Sequence, residues 1–362
     1  MRHLTRPTGV ALAAVGIQAL MVFAFTAPAA HSAPHKVPLV VSAPAPLRAT
    51  IEQRLEHAAP GAFAVREVSD ETSARAALTD RDAYGAVVVT SQGPHMLVAS
   101  AASPTVAALL TEVGSHLASP DSTGSATSPD STGSAASTGT PAEVTDVVPA
   151  STADPHGAAF TSMVLPVVMS SLIGGVLLTI KLPRLRERAL GTLLFALGGG
   201  ASVALIAGHA LAFLPGAFLP LAAATAAPIA TISLFSTATA SLVGRFGFAA
   251  AGAIMMLLSN PLSAASSAPE LLPTPWGRIG QDLPAGAAAT LIRSTAFFHG
   301  HGGGHAEVVL GMWTAAAVLM LLAAGVRGRL RTRKGGGAHG VGAGTGDRRA
   351  AQAAIVQEAG SL

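Results

Sequence analysis

Long apolar runs recur six times along the chain, and polar or small-residue stretches separate them. A helix needs about 20 mostly apolar residues to cross the hydrocarbon core of a bilayer, which is about 30 Å thick. The runs that approach or exceed this length lie at residues 9–30, 158–180, 189–214, 217–243, 246–262 and 308–326. The pattern predicts an α-helical polytopic membrane protein with six transmembrane helices.

The first run allows two interpretations. Residues 1–32 begin with the basic side chains Arg2 and Arg6, and the apolar run ends near Ala27-Pro28-Ala29, which resembles a signal-peptide cleavage site. The run is longer than the apolar part of a usual signal peptide. We therefore expect an uncleaved N-terminal transmembrane anchor, and a cleaved signal peptide is the alternative.

Residues 33–118 carry shorter patterns that are typical of a small α/β fold. Short apolar runs predict strands, and they lie at residues 37–41, 63–68, 86–90 and 96–99. Leu47, Ile51 and Leu55 recur every four residues between the first two strands, as on an amphipathic helix.

Two further helix starts complete the predicted order of this region. Ser69 and Asp70 are suited to cap a second helix, and Ser103-Pro104 combines a capping residue with proline at the first helical position. The resulting order, β-α-β-α-β-β-α, predicts a small α/β domain between the first and second transmembrane helices.

Two segments have compositions that predict a flexible chain. Residues 119–157 include the repeat PDSTGSATS and PDSTGSAAS at 120–128 and 129–137, whose polar and small side chains bury too little apolar area to order the chain. We expect a flexible linker there. Residues 327–362 are basic and rich in glycine, which predicts a disordered tail.

Composition agrees with a membrane protein. Half of the 362 residues are hydrophobic and only 11% are charged, whereas an average soluble domain has about 25% charged residues. The chain has no cysteine, which excludes disulfides, thiolate catalysis and cysteine-ligated metal sites.

The basic residues predict an orientation. With the N-terminus inside, 14 of the 22 Lys and Arg residues lie on the inner side, and six of the other eight lie in the 33–118 domain. Short cytoplasmic loops retain basic residues, while large translocated domains follow this rule weakly. We expect a multi-pass protein of the cell membrane with both termini cytoplasmic and the α/β domain outside.

The search for catalytic chemistry is negative at sequence level. The chain lacks the phosphate-binding G-x-x-x-x-G-K-[ST] loop, the G-x-S-x-G elbow and the H-E-x-x-H motif. His299, His301 and His305 stand in a glycine-rich stretch that positions metal ligands poorly, so a loose polar turn is the simpler interpretation. We therefore expect no enzyme, no cofactor and no metal. Because the spans hold almost no ionisable residues, an ion-coupled carrier is also disfavoured.

The segment before the last span is the most informative part of the chain. Its apolar pieces between residues 262 and 304 are too short to cross a bilayer, and they predict interfacial or re-entrant helices. We expect Glu270 and Arg293 either to pair at the outer mouth or to remain two solvated charges. The candidate outer-gate residues are Asn260, Pro261, Glu270, Pro273, Trp276 and Arg293.

A basic loop lies between the second and third spans. It contains Lys181, Arg184, Arg186 and Arg188. It is either a docking surface for a cytoplasmic partner or only the positive-inside signal that orients the helices.

The layout resembles a known group of membrane proteins. One anchor, an outer domain and five further spans with a proline-rich outer segment resemble the membrane subunits of type-2 ABC exporters, and more narrowly the actinobacterial branch of the phage-infection-protein (Pip) group. The resemblance rests on short motifs at 82–89, 154–157, 260–261, 269–273, 276 and 283–286.

This resemblance implies a permease-like exporter subunit of unidentified cargo. Such subunits lie in the lipid bilayer, form a homodimer or a heterodimer with another membrane subunit, and take ATP hydrolysis from a separate cytoplasmic ATPase. No nucleic-acid partner is expected. The alternative is a non-transporting envelope protein whose anchored outer domain binds a cell-wall, lipid or protein partner.

Overall fold

The chain folds into a small α/β domain joined to a bundle of apolar helices. A computed structural model describes residues 2–91, 93–118 and 143–339, so most of the predicted linker and the end of the predicted tail lie outside the described residues. The chain begins with helix α1 (Arg2–Ala30). The α/β domain follows with β1 (Val37–Ser42), α2 (Ala45–Ala58), β2 (Phe63–Glu67), α3 (Glu71–Thr79), β3 (Gly85–Thr90), β4 (Gly93–Val98), α4 (Pro104–Ala118) and β5 (Val144–Asp146).

The α/β domain has every predicted strand and helix in the predicted order, plus one further strand. The five strands form a mixed sheet of order β2-β1-β3-β4-β5, parallel except between β3 and β4. The strand that the sequence did not predict, β5, lies in the segment expected to be a linker. It is only three residues long, and pairing with β4 through Met96 and Val98 holds it in place.

Helices cover both faces of the sheet. Leu55 of α2 and Leu110 of α4 pack on one face against Leu39, while Leu78 of α3 packs on the other face against Val40. The alternation of Leu39 and Val40 along β1 follows from the two-residue period of a strand. Burial on both faces explains why β1 and β3 are continuous apolar runs.

The remaining helices form the apolar bundle. They are α5 (Ala158–Lys181), α6 (Leu185–Val203) with a π-helical end (Ala204–Ala210), α7 (Phe218–Val243), α8 (Arg245–Ala253) with a π-helical end (Ile254–Ser259), a 3₁₀ turn (Pro269–Leu271), α9 (Trp276–Gln281), α10 (Pro284–Phe297) and α11 (Gly304–His339). Helix α11 continues through residues 327–339, which the sequence analysis assigned to the tail. Extending an established helix adds one hydrogen bond per ordered residue, so basic residues there continue it readily.

Four helices of the described chain are long and apolar enough to cross a membrane. They are Ala158–Lys181, Leu185–Ala210, Phe218–Val243 and Gly304–Leu330. The other two predicted spans are shorter apolar helices, Ala14–Ala30 and Arg245–Ser259. The outer faces of the bundle expose large apolar side chains, including Leu177 (52%), Leu194 (61%) and Leu319 (66%). Exposed apolar faces of this extent suit a lipid environment.

Helix α7 is the centre of the bundle. About 61% of its most apolar stretch is buried inside the molecule, against 22–28% in the other three long apolar helices. Helix α6 approaches it closely at Gly200, where an added Cβ would lie 2.4 Å from the Ala222 carbonyl oxygen. The Thr225 hydroxyl sits at the same crossing and lies 3.1 Å from the Gly200 carbonyl oxygen. Small residues and hydroxyls at such crossings replace the hydrophobic effect, which does not drive association within lipid.

Candidate functional site at the junction of the domain and the bundle

Residues 260–304, here called the junction segment, contribute to the cores of both parts of the molecule. Ala268 and Leu271 are buried with the α2–α4 face of the sheet, and Phe298 is buried with the α3 face. Ile292, on α10 of the same segment, packs into the bundle. The α/β domain is therefore completed by side chains from a segment that follows it by more than 100 residues and also packs into the helix bundle.

Close backbone packing within the junction segment requires glycine. An added Cβ at Gly280 would lie 1.8 Å from the Leu262 carbonyl oxygen, and one at Gly277 would lie 2.0 Å from the Pro269 carbonyl oxygen. The predicted short helices are present as α9 and α10. The Ser259 hydroxyl accepts a bond from the Ala285 N–H at 2.8 Å and so caps the first turn of α10.

Arg81 fastens the α/β domain to α10. It follows α3 in a turn, and its Nη1 donates to the Thr290 carbonyl oxygen at 3.1 Å and to the Ser294 hydroxyl at 2.5 Å. The guanidinium also lies 5.6 Å from the centre of the Phe298 ring. Burial lowers the pKa of Arg81, and the neighbouring Tyr84 and Glu270 act in the opposite direction. The sequence analysis missed this residue because nothing local distinguishes it from a solvated turn arginine.

Tyr84 and Glu270 form the second polar contact between the two parts. The Tyr84 hydroxyl donates to the Glu270 carboxylate at 2.8 Å. Burial raises the pKa of Tyr84 well above its usual value, and the adjacent carboxylate raises it further. Tyr84 therefore stays protonated and remains a donor at physiological pH.

The expected pairing of Glu270 with Arg293 is wrong, and so is the alternative of two solvated charges. Arg293 is only 6% exposed, and its Nη2 donates to the Ala265 carbonyl oxygen at 2.9 Å. Its guanidinium lies 4.4 Å from the centre of the Phe160 ring. The two charges have different partners because the bundle packs around Arg293, whereas Glu270 faces the α/β domain.

The other candidate gate residues line two separate cavities. Asn260 and Pro261 line a cavity of about 710 Å³ between α1 and α5, whose wall is rich in serine and threonine hydroxyls. Pro273 and Trp276 line an apolar groove of about 720 Å³ between α1 and the helix Arg245–Ser259. The structure thus places the six predicted gate residues in one segment but does not bring them into one site.

The basic loop divides into exposed and structural residues. Lys181, Arg184 and Arg186 are exposed. Arg188 donates to the Leu182 carbonyl oxygen at 2.8 Å and to the Ser241 hydroxyl at 2.6 Å, so it ties the start of α6 to the end of α7.

The glycine-rich histidine stretch forms the turn between α10 and α11. His301 lies 3.3 Å from Asp80 and His305 lies 2.9 Å from Asp282. Among the residues that the structure describes, no group of three or more metal-ligating side chains comes together.

Two residues of the resemblance motifs have clear structural roles. Asp154 is buried, and its carboxylate accepts a bond from the Phe160 N–H at 2.9 Å in the first turn of α5. A carboxylate at this end of a helix also stabilises the helix dipole. Gly85 begins β3 at a point where an added Cβ would meet the Leu110 side chain at 2.5 Å.

Comparisons with known proteins return no match to a family model, to a curated protein or to a solved structure.

Proposed function

We propose that this chain is a permease-like membrane subunit of an ABC-type exporter, with ATP hydrolysis supplied by a separate subunit. In this proposal it is a multi-pass protein of the cell membrane, both termini are cytoplasmic, and the α/β domain lies outside. It pairs with a second copy or with another membrane subunit.

The observation that supports this proposal best is the shared core at the junction. A domain that is merely displayed on an anchor needs no core residues from a segment that is packed into the helix bundle. Here Leu271 and Phe298 complete the two faces of the α/β sheet, and Arg81 bonds to α10. Any tilt of α10 is therefore passed to the α/β domain, as a gate on the outer side requires.

The positions of the helix ends support six passes. Ser32, just after α1, bonds to the Leu271 carbonyl oxygen at 3.0 Å, so α1 ends beside the junction segment. The helix Arg245–Ser259 also ends there. Its 15 residues extend about 22 Å at the usual rise per residue, which is shorter than a hydrocarbon core of about 30 Å, so the proposal assigns it a pass from its direction and not from its length. With these two helices, successive apolar helices alternate in direction through the bundle.

The exposed arginines of the basic loop are the proposed ATPase contact. Arg184 and Arg186 lie at the opposite end of the bundle from the α/β domain. The Arg184 side chain is 82% exposed, and its one ion pair is a local contact with Glu187 at 3.2 Å on the same helix end. Arg188 is excluded from this role because its guanidinium is committed to Ser241 and Leu182.

The test is purification of the tagged full-length chain from its native membranes, followed by measurement of ATP hydrolysis in the eluate. We expect an ATPase to co-elute, and the double variant Arg184→Ala/Arg186→Ala to lose most of it. Arg245→Ala, at the same end of the bundle, serves as the matched control and should keep it. A wild-type eluate without ATP hydrolysis would contradict the proposal.

The same shared core bears on the alternative of an anchored binding domain. A fragment of residues 33–118 lacks β5, Leu271 and Phe298, which complete its sheet and its two hydrophobic clusters. If that fragment alone folded and restored the protein's cellular role, the bundle would be only an anchor and the exporter proposal would fail.

A further inference from the structure

Two cavities, one apolar and one lined in part by charged side chains, lie on either side of one turn in the junction segment. The apolar groove described above lies against Leu20 and Phe23 of α1, Leu257, Pro273 and Trp276. A cleft of about 990 Å³ is lined by the other residues of the 272–278 turn, by the segment before β1 and by the start of α11, and it includes four charged side chains. The turn is the shared wall of the groove and the cleft.

The acidic side chains of the cleft have hydrogen-bond partners, whereas two of its basic side chains have none among the described residues. Of its acidic groups, Glu270 accepts from the Tyr84 hydroxyl at 2.8 Å, and Asp282 lies 2.9 Å from His305. Among the described residues, the side chains of Lys36 and Arg278 have neither an ion-pair nor a hydrogen-bond partner, and both are exposed. His35 completes the titratable groups of the cleft. The cleft thus offers two uncommitted cations, whereas its carboxylates already have partners.

The backbone at Lys36 is unfavourable for any residue except glycine. Its φ is +54°, in the left-handed region that a Cβ disfavours. The Lys36 N–H donates to the Gly61 carbonyl oxygen at 3.0 Å, which fixes the residue at the start of β1. The conformation therefore fixes the direction in which the Lys36 side chain leaves the backbone at the mouth of the cleft.

We propose that the groove and the cleft together bind one anionic phospholipid. Its phosphate lies between Lys36 and Arg278, and an acyl chain lies in the groove against Leu20 and Phe23. Trp276 lies at the headgroup level, where indole rings are favoured. The proposal goes beyond the exporter function and stands whether or not an ATPase partner exists.

The two exposed cations without partners, Lys36 and Arg278, favour this occupant over other apolar ligands. A lysine or arginine side chain attracts an anionic lipid headgroup, and each methylene of an acyl chain that becomes buried adds to the binding free energy. A neutral lipid would leave both cations without a partner, and a free phosphate would leave the groove unused. An anionic lipid satisfies both cavities at once.

The experiment measures lipid retained by the purified full chain. The protein is reconstituted in vesicles of equal phosphatidylglycerol and phosphatidylcholine, extracted in mild detergent, and its bound lipid is quantified by mass spectrometry. We expect phosphatidylglycerol to be enriched. Lys36→Gly and Arg278→Gln should each lower the enrichment about fivefold. Lys36→Gly removes the charge while relieving the backbone, so loss of folding does not confuse the result.

Matched controls separate the site from general effects. Ala212→Gly relaxes the same backbone conformation (φ +53°) away from the cleft, and Arg54→Gln removes an exposed cation from α2. Both should retain the enrichment. Ala253→Trp fills the groove from an exposed position and should lower retention, whereas Ala250→Trp, exposed and outside the groove, should not.

Two outcomes would overturn the proposal. One is equal enrichment in the wild type and in the Lys36→Gly/Arg278→Gln double variant. The other is full displacement of phosphatidylglycerol by millimolar inorganic phosphate combined with no effect of Ala253→Trp, which would assign the cleft to free phosphate.

Discussion

The Phe298 side chain offers the sharpest test of the shared core. It is 2% exposed and lies in the cluster on the α3 face of the sheet, although it belongs to the end of α10. Truncating a buried phenylalanine to alanine costs about 3–5 kcal/mol through lost transfer free energy and the cavity left behind. If the α/β domain depends on α10, Phe298→Ala should lower the free energy of opening of the domain by this amount.

The absence of native cysteine makes this opening measurable. Ala86 of β3 is fully buried in the same cluster, so Ala86→Cys introduces one protected thiol. Its rate of labelling by a membrane-impermeant maleimide reports the open fraction of the domain. Since each 1.4 kcal/mol is a factor of ten, Phe298→Ala should raise the rate by at least ~100-fold.

A matched control separates this effect from general loosening of the bundle. Phe246 is 66% exposed on α8, so Phe246→Ala should change the labelling rate by less than about threefold. A Phe298→Ala protein that labels as slowly as the parent would refute the shared core, because the α/β domain would then be stable without α10.

Three further predictions follow from other contacts. Gly280→Ala should destabilise the junction segment by several kcal/mol, because the added Cβ would lie 1.8 Å from the Leu262 carbonyl oxygen. Gly311→Ala, at a position with open space around it, should leave stability unchanged, and thermal unfolding in detergent compares the two variants. Tyr84→Phe should lower the free energy of opening of the α/β domain by about 1–3 kcal/mol, because the Glu270 carboxylate loses its hydrogen-bond donor. Because the folded pKa of Tyr84 is raised, its contribution is complete below pH ~10 and is lost at higher pH, so Tyr84→Phe should abolish that alkaline decline in the opening free energy. Arg188→Ala should reduce the yield of folded protein by removing one hydrogen bond to α7 and one to the turn between α5 and α6, and Arg186→Ala should leave the yield unchanged. Size-exclusion chromatography would show an equal loss for the two variants if this division is incorrect.

Local patterns were enough to predict the α/β domain. Asp70 caps α3 as expected, with its carboxylate accepting from the Ser73 N–H at 2.7 Å, and Pro104 begins α4 after Ser103. These signals lie within four residues of the structure they specify, so a single sequence contains them. Strand β5 was missed because three residues carry no periodicity, and its pairing with β4 depends on a partner that lies more than 40 residues away.

The sequence was enough to locate the junction segment but not to predict which of its side chains contact each other. Proline and glycine at residues 260–304 indicated short helices outside the main spans, and the structure has them. The partners of Glu270 and Arg293 depend on which helix packs beside each charge, and this is a tertiary property. Neither Arg81 nor Lys36 could be singled out from the sequence. The role of Arg81 depends on its contacts with α10, and the conformation of Lys36 is visible only in the folded backbone.

The most direct test of the exporter proposal is a distance measurement on the complex with its ATPase. Spin labels on Arg54→Cys and Ile279→Cys report within the unit formed by the α/β domain and the junction segment. A label on Leu194→Cys gives a reference at an exposed position of α6. The account predicts that ATP binding shifts the distance from residue 54 to residue 194 by several ångströms and leaves that from 54 to 279 unchanged. If neither distance responds to the nucleotide, the α/β domain is not coupled to ATP hydrolysis and the proposed function is contradicted.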